Sequence, residues 1–170
     1  MDYPEIAESF QSGGAGALSV VISPDCDDFI KDLLENTDIP CIADDVISDE
    51  YMIYHYKLLG FSAVMLKVDV LEVVDLKRFY DLAYSLGMSC IFEVKDSSDI
   101  SKVMIVGGDI ICADSNIENA ISLRRCVSHD LTFIVKGSVK SKEDVIKLKE
   151  NNIHAIILND SSIKIDEISQ

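Results

Sequence analysis

Three charged residues interrupt runs that otherwise read as buried β-strands. Lys67 follows Ala63-Val64-Met65-Leu66, Glu93 stands within Cys90-Ile91-Phe92-Glu93-Val94, and Lys136 follows Thr132-Phe133-Ile134-Val135. A charge inside an apolar strand costs free energy unless it is paired or opens onto a cavity. A glutamate beside lysines is equipment for proton transfer, with carboxylate as base and ammonium as acid. Other polar residues occupy corresponding positions: Asp44 and Asp45, Asp69, Lys95, Asp114 and Ser115, Ser138, and Asn159 to Ser161. All lie at the carboxyl end of an apolar run, where parallel α/β folds build their sites. Lys67 and Glu93 come from successive runs and are expected to pair. Site lining is favoured over a pair that satisfies only itself or faces a helix layer. The expectation is that Glu93, Lys67 and Lys136 point to one interior, with Asp44 and Asp114 nearby and Cys41, Ile91 and Ile111 apolar beneath.

Other chemistries are poorly supplied. His55, His129 and His154 lie far apart, and the five cysteines (Cys26, Cys41, Cys90, Cys112, Cys126) include no C-x-x-C. Buried free thiols are favoured over a disulfide framework, and no metal site is expected. Gly13-Gly14-Ala15-Gly16 precedes a strand instead of opening a helix, so a dinucleotide fold is disfavoured and no cofactor is expected.

The elements that must position these residues repeat. Strands are expected at 17–22, 39–44, 63–69, 89–95, 109–114, 132–137 and 155–159. The apolar runs themselves start 22, 24, 27, 19, 23 and 23 residues apart. Between them lie segments with helical spacing: Phe29/Leu33/Leu34, Met52/Tyr56/Leu59, Leu76/Phe79/Tyr80/Ala83/Leu86 and Val145/Ile146/Leu148. Gly60 and Gly87 stand where helices end. Near-continuous apolar strands alternating with amphipathic helices mean a parallel sheet covered by helices. The even spacing favours an α/β parallel barrel of the TIM type over an open doubly wound sheet. A barrel usually takes eight strands and about 250 residues. These 170 residues open with a helix, Pro4 to Gln11, and supply seven strands, so an incomplete barrel in one domain, 1–170, is expected.

Thirty acidic residues against fifteen basic give a formal net charge of −15. Such a chain repels phosphate backbones and anionic lipid, so neither nucleic acid nor a membrane is an expected partner. Hydrophobic residues at 48% and charged residues at 26% fit a globular domain, not a disordered one. No apolar run is long enough to span a bilayer, and Met1-Asp2-Tyr3-Pro4-Glu5 lacks the features of a signal peptide. A cytoplasmic protein is expected.

The segment Glu5-Ile6-Ala7-Glu8-Ser9-Phe10-Gln11-Ser12-Gly13-Gly14-Ala15-Gly16-Ala17-Leu18-Ser19-Val20 resembles a helix and second strand of the indole-3-glycerol-phosphate synthase family. Ile39 to Ile47 resembles the family's third strand, and Tyr54 with Gly60 to Met65 the turn into the fourth. Leu86-Gly87-Met88 with Ile91 to Val94 resembles the fifth. Gly108 to Ile111 resembles the sixth, and Val135-Lys136-Gly137-Ser138-Val139 the seventh. The resemblance implies a lyase of tryptophan (amino-acid) biosynthesis. It closes the indole ring of a carboxyphenylamino-deoxyribulose phosphate with loss of carbon dioxide and water, using a lysine acid and a glutamate base and no cofactor. Glu93 falls on the base. The family's acid lysine falls on Asp44 and its sixth-strand asparagine on Asp114. The phosphate-binding turns fall on Gly137 and Ser138, and on Asp160 and Ser161. The first βα unit, with a further glutamate and lysine, has no counterpart in these residues.

The resemblance therefore implies a decarboxylating lyase that is degenerate, acting at most weakly on a small anionic phosphosugar-type substrate. Lys67 is the expected substitute acid. The alternatives are a non-catalytic binding or assembly protein on the same scaffold, or a fragment completed in trans. Either would entail a homo-oligomer or a partner chain closing the barrel.

Overall fold

The computed structural model describes residues 3–24, 26–137 and 139–158, with side chains from residue 8 onward. Seven strands follow one another in the sheet in chain order, β1 to β7. They are β1 (Leu18–Val21), β2 (Cys41–Asp44), β3 (Ala63–Lys67), β4 (Ser89–Val94), β5 (Ile110–Asp114), β6 (Thr132–Lys136) and β7 (Ala155–Ile157). Seven helices alternate with them: α1 (Tyr3–Ser12), α2 (Asp27–Glu35), α3 (Glu50–Leu59), α4 (Val73–Ser85), α5 (Ser97–Val106), α6 (Ile117–Arg124) and α7 (Lys142–Glu150). A doubly wound sheet would reverse its strand order at a switch point. None of these strands is out of sequence.

Each expected strand is present but shorter at one end or, for the first, at both; residue 159 of the last lies outside the described residues. At 63–69 the strand stops at Lys67, and Val68–Val70 form a 3-10 turn. The run continues apolar there because Val68 is buried in the turn.

The chain packs as two compact units. One holds residues up to Leu66 together with Arg78–Cys90. There β1 lies parallel to β2 with Leu18 opposite Cys41, and β2 to β3 with Asp44 opposite Met65. α3 starts where the Asp49 side chain accepts the Met52 N–H, 3.2 Å, and stops at Gly60, whose φ of 108° suits a residue without a Cβ. Its buried face is Ile53 and Tyr56, one residue away from the expected Met52. α2 likewise buries Ile30 and Leu33, with Phe29 and Leu34 half-buried.

The other unit holds Lys67–Lys77 and the chain from Ile91 onward. Here β4, β5, β6 and β7 pair in parallel: Glu93 opposite Cys112, Cys112 opposite Ile134, Asp114 opposite Lys136, and Lys136 opposite Ile157. Asp96 caps α5 by accepting the N–H groups of Ser98 and Asp99, Asn116 caps α6, and Ser141 forms a capping box with Asp144 on α7. Arg124 is buried. It donates to Asn152 O (2.9 Å) and Ser128 O (3.0 Å) while its guanidinium lies over the Phe133 ring. On α7 only Leu148 of the expected apolar set is fully buried, and Ile146 is exposed.

Cys41, Cys90 and Cys112 are buried thiols, as expected, whereas Cys26 is half-buried and Cys126 exposed. His154 accepts the Phe133 N–H, which gives that histidine a structural role.

Candidate active site

Side chains alternate across a strand, so on β4 Ile91 and Glu93 share one face and Phe92 the other. Phe92 packs against Gly108, just beyond α5, so closely that a Cβ there would lie 2.3 Å from the ring. That face meets the helices. Glu93 points the opposite way, and register carries its face through Cys112 and Ile134 to Asp114 and Lys136. The apolar residues beneath Glu93 are therefore Ile91 and Cys112. The expected Ile111 stands opposite Phe133, on the helix side, because it is one residue out of phase.

Lys136 Nζ donates to Glu93 Oε2 at 2.9 Å, and Lys67 Nζ lies 3.9 Å from Glu93 Oε1. Each carboxylate oxygen thus faces its own ammonium. Exposure rises across the trio: the Glu93 side chain is 4% exposed, Lys136 13% and Lys67 25%. A carboxylate this buried is costly unless compensated, and the two lysines supply the compensation. Lys67 is the member most open to an incoming molecule.

A second ion pair stands beside the trio. Asp69, in the turn after β3, accepts from Lys95 Nζ at 2.6 Å. The hydrogen bond to Asp69 holds the Lys95 ammonium above the usual lysine range, and the charges of Asp69, Glu93 and Asp114 add to it. Asp114 is exposed at the end of β5. The structure therefore gathers Lys67, Asp69, Glu93, Lys95, Asp114 and Lys136.

The remaining expected residues fare differently. Asp44 is buried at the end of β2 in the other unit, on the face of Ile42; Cys41 alternates to the opposite face. Its neighbour Asp45 accepts the Tyr56 hydroxyl, and burial, with that bond second, pushes the Tyr56 phenol well above the usual tyrosine range. Gly137 has φ 125°, and its N–H donates to Ile157 O at 3.4 Å. Ser138, Asn159, Asp160 and Ser161 lie outside the described residues. Among the described residues no cluster of His, Cys, Asp and Glu could hold a metal ion, and no helix is long and apolar enough to cross a membrane.

Three side-chain contacts, one in the first unit and two in the second, had no signal in the sequence. Tyr56 read only as core, Asn119 donates its side-chain amide to Lys95 O at 3.3 Å, and Lys102 bonds two backbone carbonyls. Neither Asn119 nor Lys102 differs in type or spacing from an ordinary solvated helix residue.

The family model for indole-3-glycerol phosphate synthase matches residues 1–170. The chain belongs to this family. Its similarity to named indole-3-glycerol phosphate synthases is distant but spans nearly all of it. It is 27% identical to that of Ruminiclostridium cellulolyticum over 95% of this chain and 67% of the relative. For Endomicrobium trichonymphae the identity is 29% over 99% and 70%, and for Chloroherpeton thalassium 29% over 97% and 68%. The chain thus spans about two thirds of the length of these synthases. A solved structure of a mandelate oxidase mutant with a monooxide FMN adduct superposes with a TM-score of 0.73 at 10% identity, over 98% of this chain and 63% of that one. That likeness concerns the fold alone, and it is the parallel (β/α) barrel class read from the strand spacing. The synthase family resemblance rests on the ordered strand motifs, and both expectations are borne out.

Proposed function

We propose that this chain serves tryptophan biosynthesis as a weakly active indole-3-glycerol-phosphate synthase. Family membership supports the pathway, and one observation carries the chemistry: Glu93 lies buried between Lys136 and Lys67, one ammonium on each oxygen. The substrate is a carboxyphenylamino-deoxyribulose phosphate, with no cofactor. Ring closure joins the ring carbon bearing the carboxylate to the sugar-derived carbonyl carbon. Carbon dioxide leaves, and then water. Lys67, the most open of the trio, protonates the carbonyl oxygen as the carbon–carbon bond forms. Reprotonated from solvent after carbon dioxide leaves, it protonates the resulting hydroxyl, which departs as water while Glu93 takes the proton released from the sugar-derived carbon as the new ring becomes aromatic.

Two features support low turnover. Asp44 stands where the resemblance puts the family's acid lysine, and its side chain does not supply the ammonium that donates there. Lys136 also occupies Oε2 of the base, leaving Oε1 to act. The test is product formation by the purified chain. Slow release of indole-3-glycerol phosphate, abolished by Glu93→Gln, is the expected result; complete inactivity without substrate binding, or full synthase turnover, would overturn the proposal.

The second reading is a non-catalytic assembly protein. It draws on the exposed apolar residues of α3, where Tyr51, Tyr54 and Leu58 lie three and four residues apart and Leu58 is 86% exposed. A solution mass above that of one chain, with no turnover, would favour it.

A further inference from the structure

Lys102 stands on α5, yet its ammonium serves the turn after β3. Its Nζ donates to Val68 O and to Leu71 O, 3.1 Å in each case. The Leu71 N–H also donates to Val68 O, at 3.3 Å, so one ammonium bridges both ends of the turn. The same turn is held at its middle, where Asp69 receives Lys95, and Lys95 is itself tied through its carbonyl to Asn119 on α6. Lys67 immediately precedes the turn in extended backbone, φ −79° and ψ 103°. Without the ammonium, Leu71 O and the second lone pair of Val68 O would bond water instead and let the segment open.

We propose that Lys102 is a positioning residue: it fixes the 68–71 turn and thereby the direction in which Lys67 presents its ammonium to Glu93 and to substrate. The substrate half of this inference rests on the function proposed above; the Lys67 half does not.

The experiment compares the full chain with Lys102→Met, which keeps the apolar stem and removes the charge, and with Lys102→Arg, which restores donors. Lysines are acylated with limiting acetic anhydride and counted by mass spectrometry, and amide exchange is followed over residues 68–71. In Lys102→Met, exchange of the turn should quicken about tenfold, the loss of roughly one charge-assisted hydrogen bond. Lys67 should be acylated several-fold faster, about threefold or more, while Lys136 and the surface residue Lys31 keep their rates; Lys102→Arg should recover most of both effects. Unchanged Lys67 reactivity, or an equal rise at Lys136 showing general loosening, would overturn the proposal. A third measurement concerns substrate: the affinity for an unreactive, carbonyl-reduced carboxyphenylamino-pentitol phosphate should fall in Lys102→Met. If the unaltered chain does not bind that analogue, the proposed function fails while the labelling result still decides the role of Lys102.

Discussion

Lys136 reaches Glu93 from two strands away: its Nζ lies 2.9 Å from Oε2, spanning β5 on the face where Cys112 offers only a small thiol. A larger residue at that level would separate the two charges. The pair is buried enough that removing one partner should cost more than an exposed ion pair is worth. Glu93→Gln is expected to destabilise the fold by about 1–3 kcal/mol, and Lys136→Met similarly. The double variant should be more stable than the sum of the singles implies, by roughly 1–3 kcal/mol. Urea denaturation of the four proteins measures this coupling, and strict additivity would mean the contact carries no net interaction.

Tyr56 and Asp45 make the corresponding contact in the other unit. The folded chain holds the phenol protonated beyond its ordinary value of 10.0, chiefly because the ring is buried. A group whose ionisation is raised by folding stabilises the protein fully below its unfolded value, and that contribution is lost as pH rises past it. Tyr56→Phe should therefore cost about 1 kcal/mol near neutrality and flatten the loss of stability between roughly pH 9 and pH 12. Urea midpoints across that range provide the check; parallel curves for the two proteins would refute it.

The approach of Phe92 to Gly108 leaves no room for a methyl group. Gly108→Ala must push the ring or the end of α5 aside, at about 1–3 kcal/mol. Thermal denaturation should show the drop, and Phe92→Leu in the same background should recover part of it. Failure of that second change to help would locate the strain elsewhere.

These contacts show what the sequence could and could not carry. The central strands were legible because they are buried on both faces in a parallel sheet, so Ala63–Leu66 and Cys90–Phe92 stay apolar without alternation, whereas β1 and β7 are only partly buried. The polar strand ends were legible for the converse reason, as charges where burial forbids them. The pairing of Lys67 with Glu93 followed from neighbouring order alone. That Lys136 is the closer partner did not, because it depends on register across β5. Likewise the β-rich run through Val68 hid a turn whose carbonyls are held by Lys102, a long-range contact with no local signature. Ile111 was misplaced by one step of the two-residue period, which is all it takes to move a side chain to the other face.

The division of labour between the two lysines leads to the last prediction. Lys136 is nearly enclosed and donates to the base, so its role is to hold Glu93 in place; Lys67 is more open and 3.9 Å from the other oxygen, so it can turn to a bound substrate without abandoning the carboxylate. Removing an acid acts on the chemical step, whereas removing an anchor acts on geometry and binding together. Lys67→Met should therefore lower kcat by about 10²-fold or more with KM nearly unchanged. Lys136→Met should raise KM as well and lower stability. Single-turnover measurements with the protein in excess make such slow rates accessible. If Lys67→Met leaves the slow step intact while Lys136→Met removes it, the acid is Lys136, and the ammonium nearest the base is the one that acts.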